Sequence, residues 1–155
     1  MTLRTRLEDT LDRSPAAPSL LVVSDSHVGS TLATEFAATA DTSLVADSER
    51  VAARTPDSVR TIAGDVTDRD TLAAAAVDGA VAVVALRRDR RALLVAQLLW
   101  THADIRDCIL LLNDPQRHDA VADVSTAVVC GSSCLSSALG DAVEQTLSEH
   151  TEPHS

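Results

Sequence analysis

The sequence predicts an α/β fold: a doubly wound parallel sheet of six strands, in the order 3-2-1-4-5-6, with helices on both faces. Three observations lead there. Six short apolar runs alternate with segments of helical periodicity, and such alternation builds parallel sheets with right-handed crossovers. The runs are continuous rather than alternating, as expected when both faces of a sheet are covered. The first run, Leu20–Ser24, passes through a short polar turn carrying one glycine, Gly29, into a helical stretch, which is how a βαβ unit opens.

Taken in order, residues 2–13 suggest an amphipathic helix with Leu3, Leu7 and Leu11 on one face. The segment Ser14–Ser19 is a proline-rich break. Strands are expected at Leu20–Ser24, Ser43–Ala46, Val59–Ala63, Ala80–Leu86, Cys108–Leu112 and Ala127–Cys130. Helices are expected at Ser30–Thr39, Glu49–Arg54, Asp68–Ala76, Arg90–Ala103, Pro115–Asp123 and Leu135–His150. The division is therefore 1–18, N-terminal helix and linker; 19–148, the α/β domain; and 149–155, a disordered tail. A chain of 155 residues fits one such domain.

Composition bounds the function. With Phe36 and Trp100 the only aromatic residues, the core must be built from Ala, Val and Leu. The formal charge is −10, and all thirteen basic residues are arginine. This resembles cytosolic proteins of salt-loving archaea, whose acidic surfaces stay hydrated in concentrated salt; a GC-rich genome would also favour Arg over Lys. The charge balance disfavours general binding to nucleic acid. No apolar run is long enough for direct membrane insertion, and MTLRTRLEDT lacks the apolar stretch of a secretory signal, so a cytoplasmic location is expected. Cys108, Cys130 and Cys134 give neither a disulfide framework nor a zinc spacing; Cys108 and Cys130 read as buried small hydrophobes, and no metal site is expected.

Several chemistries are excluded outright. Without tyrosine or lysine there is no Tyr/Lys pair of the short-chain dehydrogenases, no Gly-Lys-Ser/Thr phosphate loop and no Schiff-base lysine. Gly-x-Ser-x-Gly is absent. His27, His102 and His118 read as polar surface residues, so no catalytic residue is assigned and no enzyme activity is expected.

In an open α/β sheet ligands bind outside the carboxyl ends of the strands, and four segments meet there. The first is Ser24, Asp25, Ser26, His27, Val28 and Gly29. The dinucleotide fingerprint Gly-x-Gly-x-x-Gly has Ser24, Ser26 and Gly29 in its glycine slots. A helix N-terminus favours an anion there, whereas Asp25 opposes one. In the second segment Asp47 stands near where an acid takes ribose hydroxyls; it is equally placed to cap the next helix. The third is Gly64, Asp65 and Val66, a turn that can flank an adenine ring; Asp68 beyond it suits a helix cap. The fourth is Arg87, Arg88, Asp89, Arg90 and Arg91. Cations at a helix N-terminus oppose its dipole, so an anionic ligand, neighbouring carboxylates or an acidic partner must offset them.

The ordered motifs VVSDSHVGSTLA, DSERV, GDVTDRDTL, VAVVAL, LLLNDPQRHDAV and TAVVCGSSCLSSAL resemble the Rossmann-like N-terminal domain of potassium-transport regulators, the TrkA-N or RCK family. Gly64-Asp65-Val66-Thr67-Asp68 and Asn113-Asp114-Pro115 match that family's characteristic turns, and the resemblance covers roughly residues 19–145. It implies a homodimer that binds NAD(H) or ATP/ADP and gates a membrane cation channel or transporter. By the DSERV register the family's ribose-binding acid falls on Val45, leaving Asp47 to the following acidic position. The expected member is stand-alone, without the ligand-binding lobe or a pore segment. A scaffold that keeps the fold for dimerisation without a ligand is the other reading. Leu135, Leu139, Val143 and Leu147 supply its interface or else cover the sheet.

Overall fold

The computed structural model describes residues 18–77, 79–121 and 125–151. The expected N-terminal helix and the linker up to residue 17 lie outside them, as does the tail from 152. The elements are β1 (Ser19–Ser24), α1 (His27–Phe36), β2 (Asp41–Ala46), α2 (Glu49–Ala53), β3 (Arg60–Ala63), α3 (Arg69–Ala75), β4 (Val81–Ala85), α4 (Asp89–His102), β5 (Asp107–Leu112), a 3-10 helix (Pro115–Val121), β6 (Ala127–Cys130) and α5 (Gly131–Thr151). The strands form one six-stranded sheet in the order β3-β2-β1-β4-β5-β6. Every pairing is parallel. The order reverses between β1 and β4, which is where such sheets bind ligands.

Strand parity divides the core. Leu21, Val23, Val45, Val84, Leu110 and Leu112 face α3 and α4, whose Leu72, Val95 and Leu99 are fully buried against them. Val22, Leu44 and Ala46 face the other way, onto Ala33 of α1 and Val51 of α2. Each fully buried Val or Leu contributes roughly 1.5–3 kcal/mol of transfer free energy.

The second face is covered only over β1 and β2. Val81, Val83, Ile109 and Leu111 remain half-buried and line an open apolar cavity of about 520 Å³. The expectation that continuous apolar runs are covered on both faces is therefore corrected for β4 and β5. The sequence pattern reports what these residues would bury, whereas the packing depends on where the last helix goes.

Three helix boundaries differ from expectation. The first helix starts at His27 rather than Ser30, because Gly29 lies inside the first turn rather than before it. The segment expected as a helix over Pro115–Asp123 is 3-10 over Pro115–Val121, and residues 122 and 123 lie outside the described ones. The last helix starts at Gly131, directly after β6, and reaches Thr151, so residues 149–151 are helical rather than part of a tail. Leu135, Leu139, Val143 and Leu147 do not cover the sheet: they are 55–66% exposed.

Candidate functional site

Ser24 ends β1 with its side chain fully buried. Its hydroxyl lies 2.9 Å from the Ala85 carbonyl oxygen, which it donates to, and accepts the Ser26 N–H at 3.2 Å. In the first glycine slot the serine therefore stitches β1 to β4 instead of facing a ligand. Gly29 is fixed by the same residue: a Cβ there would collide with Ser24 Cβ and Oγ, and would touch Val22 Cγ1 at 3.4 Å. The last slot of the fingerprint thus keeps its packing role, close approach of helix to strand.

Asp25 is nearly buried, its side chain 3% exposed. Its carboxylate accepts the Arg87 backbone N–H at 3.2 Å and lies 3.7 Å from both Arg87 Nε and a terminal Arg91 nitrogen. Arg91 in turn makes a two-pronged pair with Asp47, at 3.0 and 3.2 Å. Asp47 is therefore not the helix cap; Ser48 is, accepting the Val51 N–H. The hydrogen bonds that Arg91 donates to Asp47 raise the Arg91 pKa above its usual value; partial burial opposes this, and the charges of Asp47, Asp25 and Asp65 add to it. Thus β1, β2 and α4 are tied across the switch point by two carboxylates and one guanidinium.

At the third segment the Asp65 carboxylate accepts the Thr67 hydroxyl at 2.6 Å and its N–H at 2.9 Å, which hold its carboxyl below the usual range. The Gly64 N–H donates to the Ala46 carbonyl. The Val66 side chain is packed in the core, 0% exposed. Asp68 caps α3, accepting from the Thr71 N–H and hydroxyl.

Ser26 and Val28 line a cavity of about 450 Å³ with Leu86, Arg87, Leu111 and Leu135. Arg87 and Arg88 line a second, of about 470 Å³, with Asp89, Arg90, Asp114 and Arg117. The two share Arg87 and Asn113. His27 lies elsewhere, against Arg54 at 3.3 Å, in a separate polar cavity. The structure therefore brings together Ser26, Val28, Arg87 and Arg88 around the adjoining cavities, and Asp25 and Asp47 around Arg91.

Sequence reasoning placed Asp89 and Arg91 in the fourth segment and Asn113 in a family turn, but gave none of the three a binding role or its actual partners. Asp89 accepts the N–H groups of Asn113 and Asp114, both at 2.9 Å, and the Asn113 side chain donates to the Arg87 carbonyl at 2.9 Å. A Cβ on Gly131 would lie 2.6 Å from the Asn113 side-chain oxygen. The Asn-Asp-Pro turn is thus held to the β4 loop and to the start of α5. Excess arginine at a helix start was the available signal for Arg91; its partners lie 44 and 66 positions upstream and become visible only through strand order. Among the cysteines, Cys108 is buried, and desolvation pushes its thiol up to about 11. Cys130 is half-buried rather than buried, and Cys134 is exposed. Among the described residues no His, Cys, Asp and Glu cluster could hold a metal ion, and no helix is long and apolar enough to cross a membrane.

Sheet order, switch-point crevice and loop chemistry define a domain of the Rossmann-like class. The TrkA-N domain family model matches residues 20–132. The chain belongs to that family. Among solved structures it is similar to the NAD(P)-binding domain of an exopolyphosphatase-related protein from Archaeoglobus fulgidus, at 17% identity and a TM-score of 0.69 over 83% of this chain and 98% of that one. It is also similar to a Rossmann-fold NAD(P)-binding family protein from Shigella flexneri, at 17% identity and a TM-score of 0.53, over 70% of this chain and 65% of that one. At such identity both likenesses speak to the fold. Comparison with curated proteins gives no match.

Proposed function

We propose that this chain is a cytoplasmic, nucleotide-binding regulatory subunit that senses NAD(H) or ATP/ADP and controls a cation transporter or channel, without catalysis of its own. The observation that carries the reading is family membership over residues 20–132 together with polar loops gathered at the switch point. The Ser26 hydroxyl and the exposed Arg87 guanidinium beside the adjoining cavities supply hydrogen-bond donors for a nucleotide. A ligand at one hundred times its dissociation constant adds about 2.7 kcal/mol of stability. A thermal-shift series with NAD, NADH, ATP, ADP and cyclic dinucleotides in molar KCl is therefore expected to raise the Tm by several degrees for at least one of them. No shift with any would reject nucleotide sensing.

One observation favours the second reading, a scaffold that binds no ligand. Asp25 and Asp47 already occupy Arg91, so the crevice is neutralised from within. A pyrophosphate placed beside β1 would face two carboxylates. An empty ligand series with a stable dimer is the result that reading expects.

Both readings use a homodimer. The stripe Leu135, Leu139, Val143, Leu147 is exposed along a helix of 21 residues, about 31 Å long. The same chain leaves an apolar sheet face open beside Val28, Phe36 and Val129, which are 41–57% exposed. Apolar surfaces of this extent mark interaction sites. A second copy supplies both complements: the α5 of each covers the open face of the other, the self-complementary geometry of a two-fold dimer. Light scattering is expected to give a dimer for the native chain and a monomer for the variant with Leu139→Asp and Leu147→Asp. A monomeric native chain at micromolar concentration would remove this interface.

A further inference from the structure

We propose that the basin lined by Arg87, Arg88, Arg90 and Arg117 is a binding site for an oligophosphate anion, lying on the β4–β5 side of the switch point between β1 and β4. Four arginines line one cavity of about 470 Å³ on a chain whose net charge is −10; Arg87 stands 3.7 Å from Asp25 and Arg117 pairs with Asp114. Two carboxylates share the lining, and both are engaged. Asp89 accepts the amides of Asn113 and Asp114 at 2.9 Å. Asp114 accepts the Gln116 N–H at 3.0 Å and stands 3.6 Å from Arg117. Among the described residues neither the Arg88 nor the Arg90 side chain has a hydrogen-bond or ion-pair partner.

This crowding is electrostatically unfavourable as it stands. The arginines flank the first turn of α4, where the helix dipole opposes cations, and the N-terminus of α4 has no side-chain cap. A multiply charged anion relieves both the mutual repulsion and the dipole conflict. Planar guanidinium forks match phosphoryl oxygens in pairs, and several forks around one open cavity suit a chain of phosphates better than a single one. The distribution of charge also sets the place. At the ends of β1 and β2, Asp25 and Asp47 set two carboxylates around Arg91, whereas arginines outnumber carboxylates four to two in the basin lining.

The phosphate chain can come from an inorganic oligophosphate or from a nucleoside triphosphate. In the latter case the adjoining cavity lined by Val28, Leu86, Leu111 and Leu135, which shares Arg87 and Asn113 with the basin, takes the nucleoside. The site itself does not depend on the nucleotide reading above.

Isothermal calorimetry on the full chain with sodium tripolyphosphate, ATP and NAD tests it at about 0.2 M KCl, where the Debye length is roughly 7 Å rather than about 3 Å at 1 M. Tripolyphosphate is expected to bind the native protein and to bind the Arg88→Ala, Arg90→Ala variant at least tenfold more weakly. The control variant Arg50→Ala, Arg69→Ala removes two exposed cations that do not line the basin and should bind like the native chain. ATP binding more tightly than tripolyphosphate identifies a nucleotide; equal affinities identify bare phosphate recognition. Tripolyphosphate binding without NAD binding upholds the basin while the dinucleotide proposal falls alone. The basin is refuted if tripolyphosphate gives no heat with the native chain, or if the two double variants weaken it equally. Circular dichroism of both variants establishes that they fold, since all four arginines are exposed.

Discussion

Replacing Gly29 with alanine is expected to cost about 3 kcal/mol of stability, the upper end of ordinary overpacking. The added methyl group would coincide with Ser24 Cβ, and Ser24 sits rigidly between β1 and β4 with its hydroxyl on the Ala85 carbonyl. Neither can yield without shifting α1 against the sheet. The cause is testable by removing the other half of the collision. Ser24→Gly alone loses one buried hydrogen bond, worth about 1 kcal/mol. Combined with Gly29→Ala it should recover at least about 1 kcal/mol relative to the sum of the single losses, since residues in contact couple. Urea denaturation of the four proteins closes the cycle. Strict additivity would mean that the glycine is needed for something other than this contact.

Arg91→Ala is expected to cost about 2 kcal/mol, because it leaves the nearly buried Asp25 without one of its counter-charges and Asp47 without its two-pronged partner. The figure lies below that of a fully buried pair because Arg91 is 29% exposed. Asp47→Ala should be milder, under about 1 kcal/mol, since that carboxylate is 31% exposed and its loss leaves Arg91 beside Asp25. Equal losses in denaturation midpoints, or none for Arg91→Ala, would show that the three groups do not act as a network across the switch point.

The sheet was legible because its signals are local. Each strand is a short apolar run, each crossover a helical pattern, and chirality leaves one common strand order for six such units. Boundaries failed where a residue serves tertiary packing. Gly29 reads as a loop glycine, yet it is helical and glycine because of Ser24. Gly131 reads as part of a turn, yet it is the first residue of α5, and it is glycine because Asn113 and Leu111 leave no room for a side chain. The open half of the second face was invisible for the same reason: Ile109 and Leu111 have the composition of covered residues whether or not a helix covers them. In the site, the loops were identifiable by their distance from strand ends. Their partners were not, because Arg91, Asp25 and Asp47 meet only after β2, β1 and β4 lie side by side. The Asp89 clamp on the Asn-Asp-Pro turn shows how one carboxylate can account for two motifs that each suggest a ligand on their own.

The direct passage from Cys130 of β6 to Gly131 of α5 leaves no hinge between sheet and helix. The azimuth of α5 about its own axis is therefore inherited from the pleat of β6. Since each helical residue turns the chain by about 100°, one extra residue at that junction would swing Leu135, Leu139, Val143 and Leu147 a quarter-turn or more out of phase with whatever they meet. Sequence length at this joint is thus a geometric setting, held as tightly as any side chain in the core.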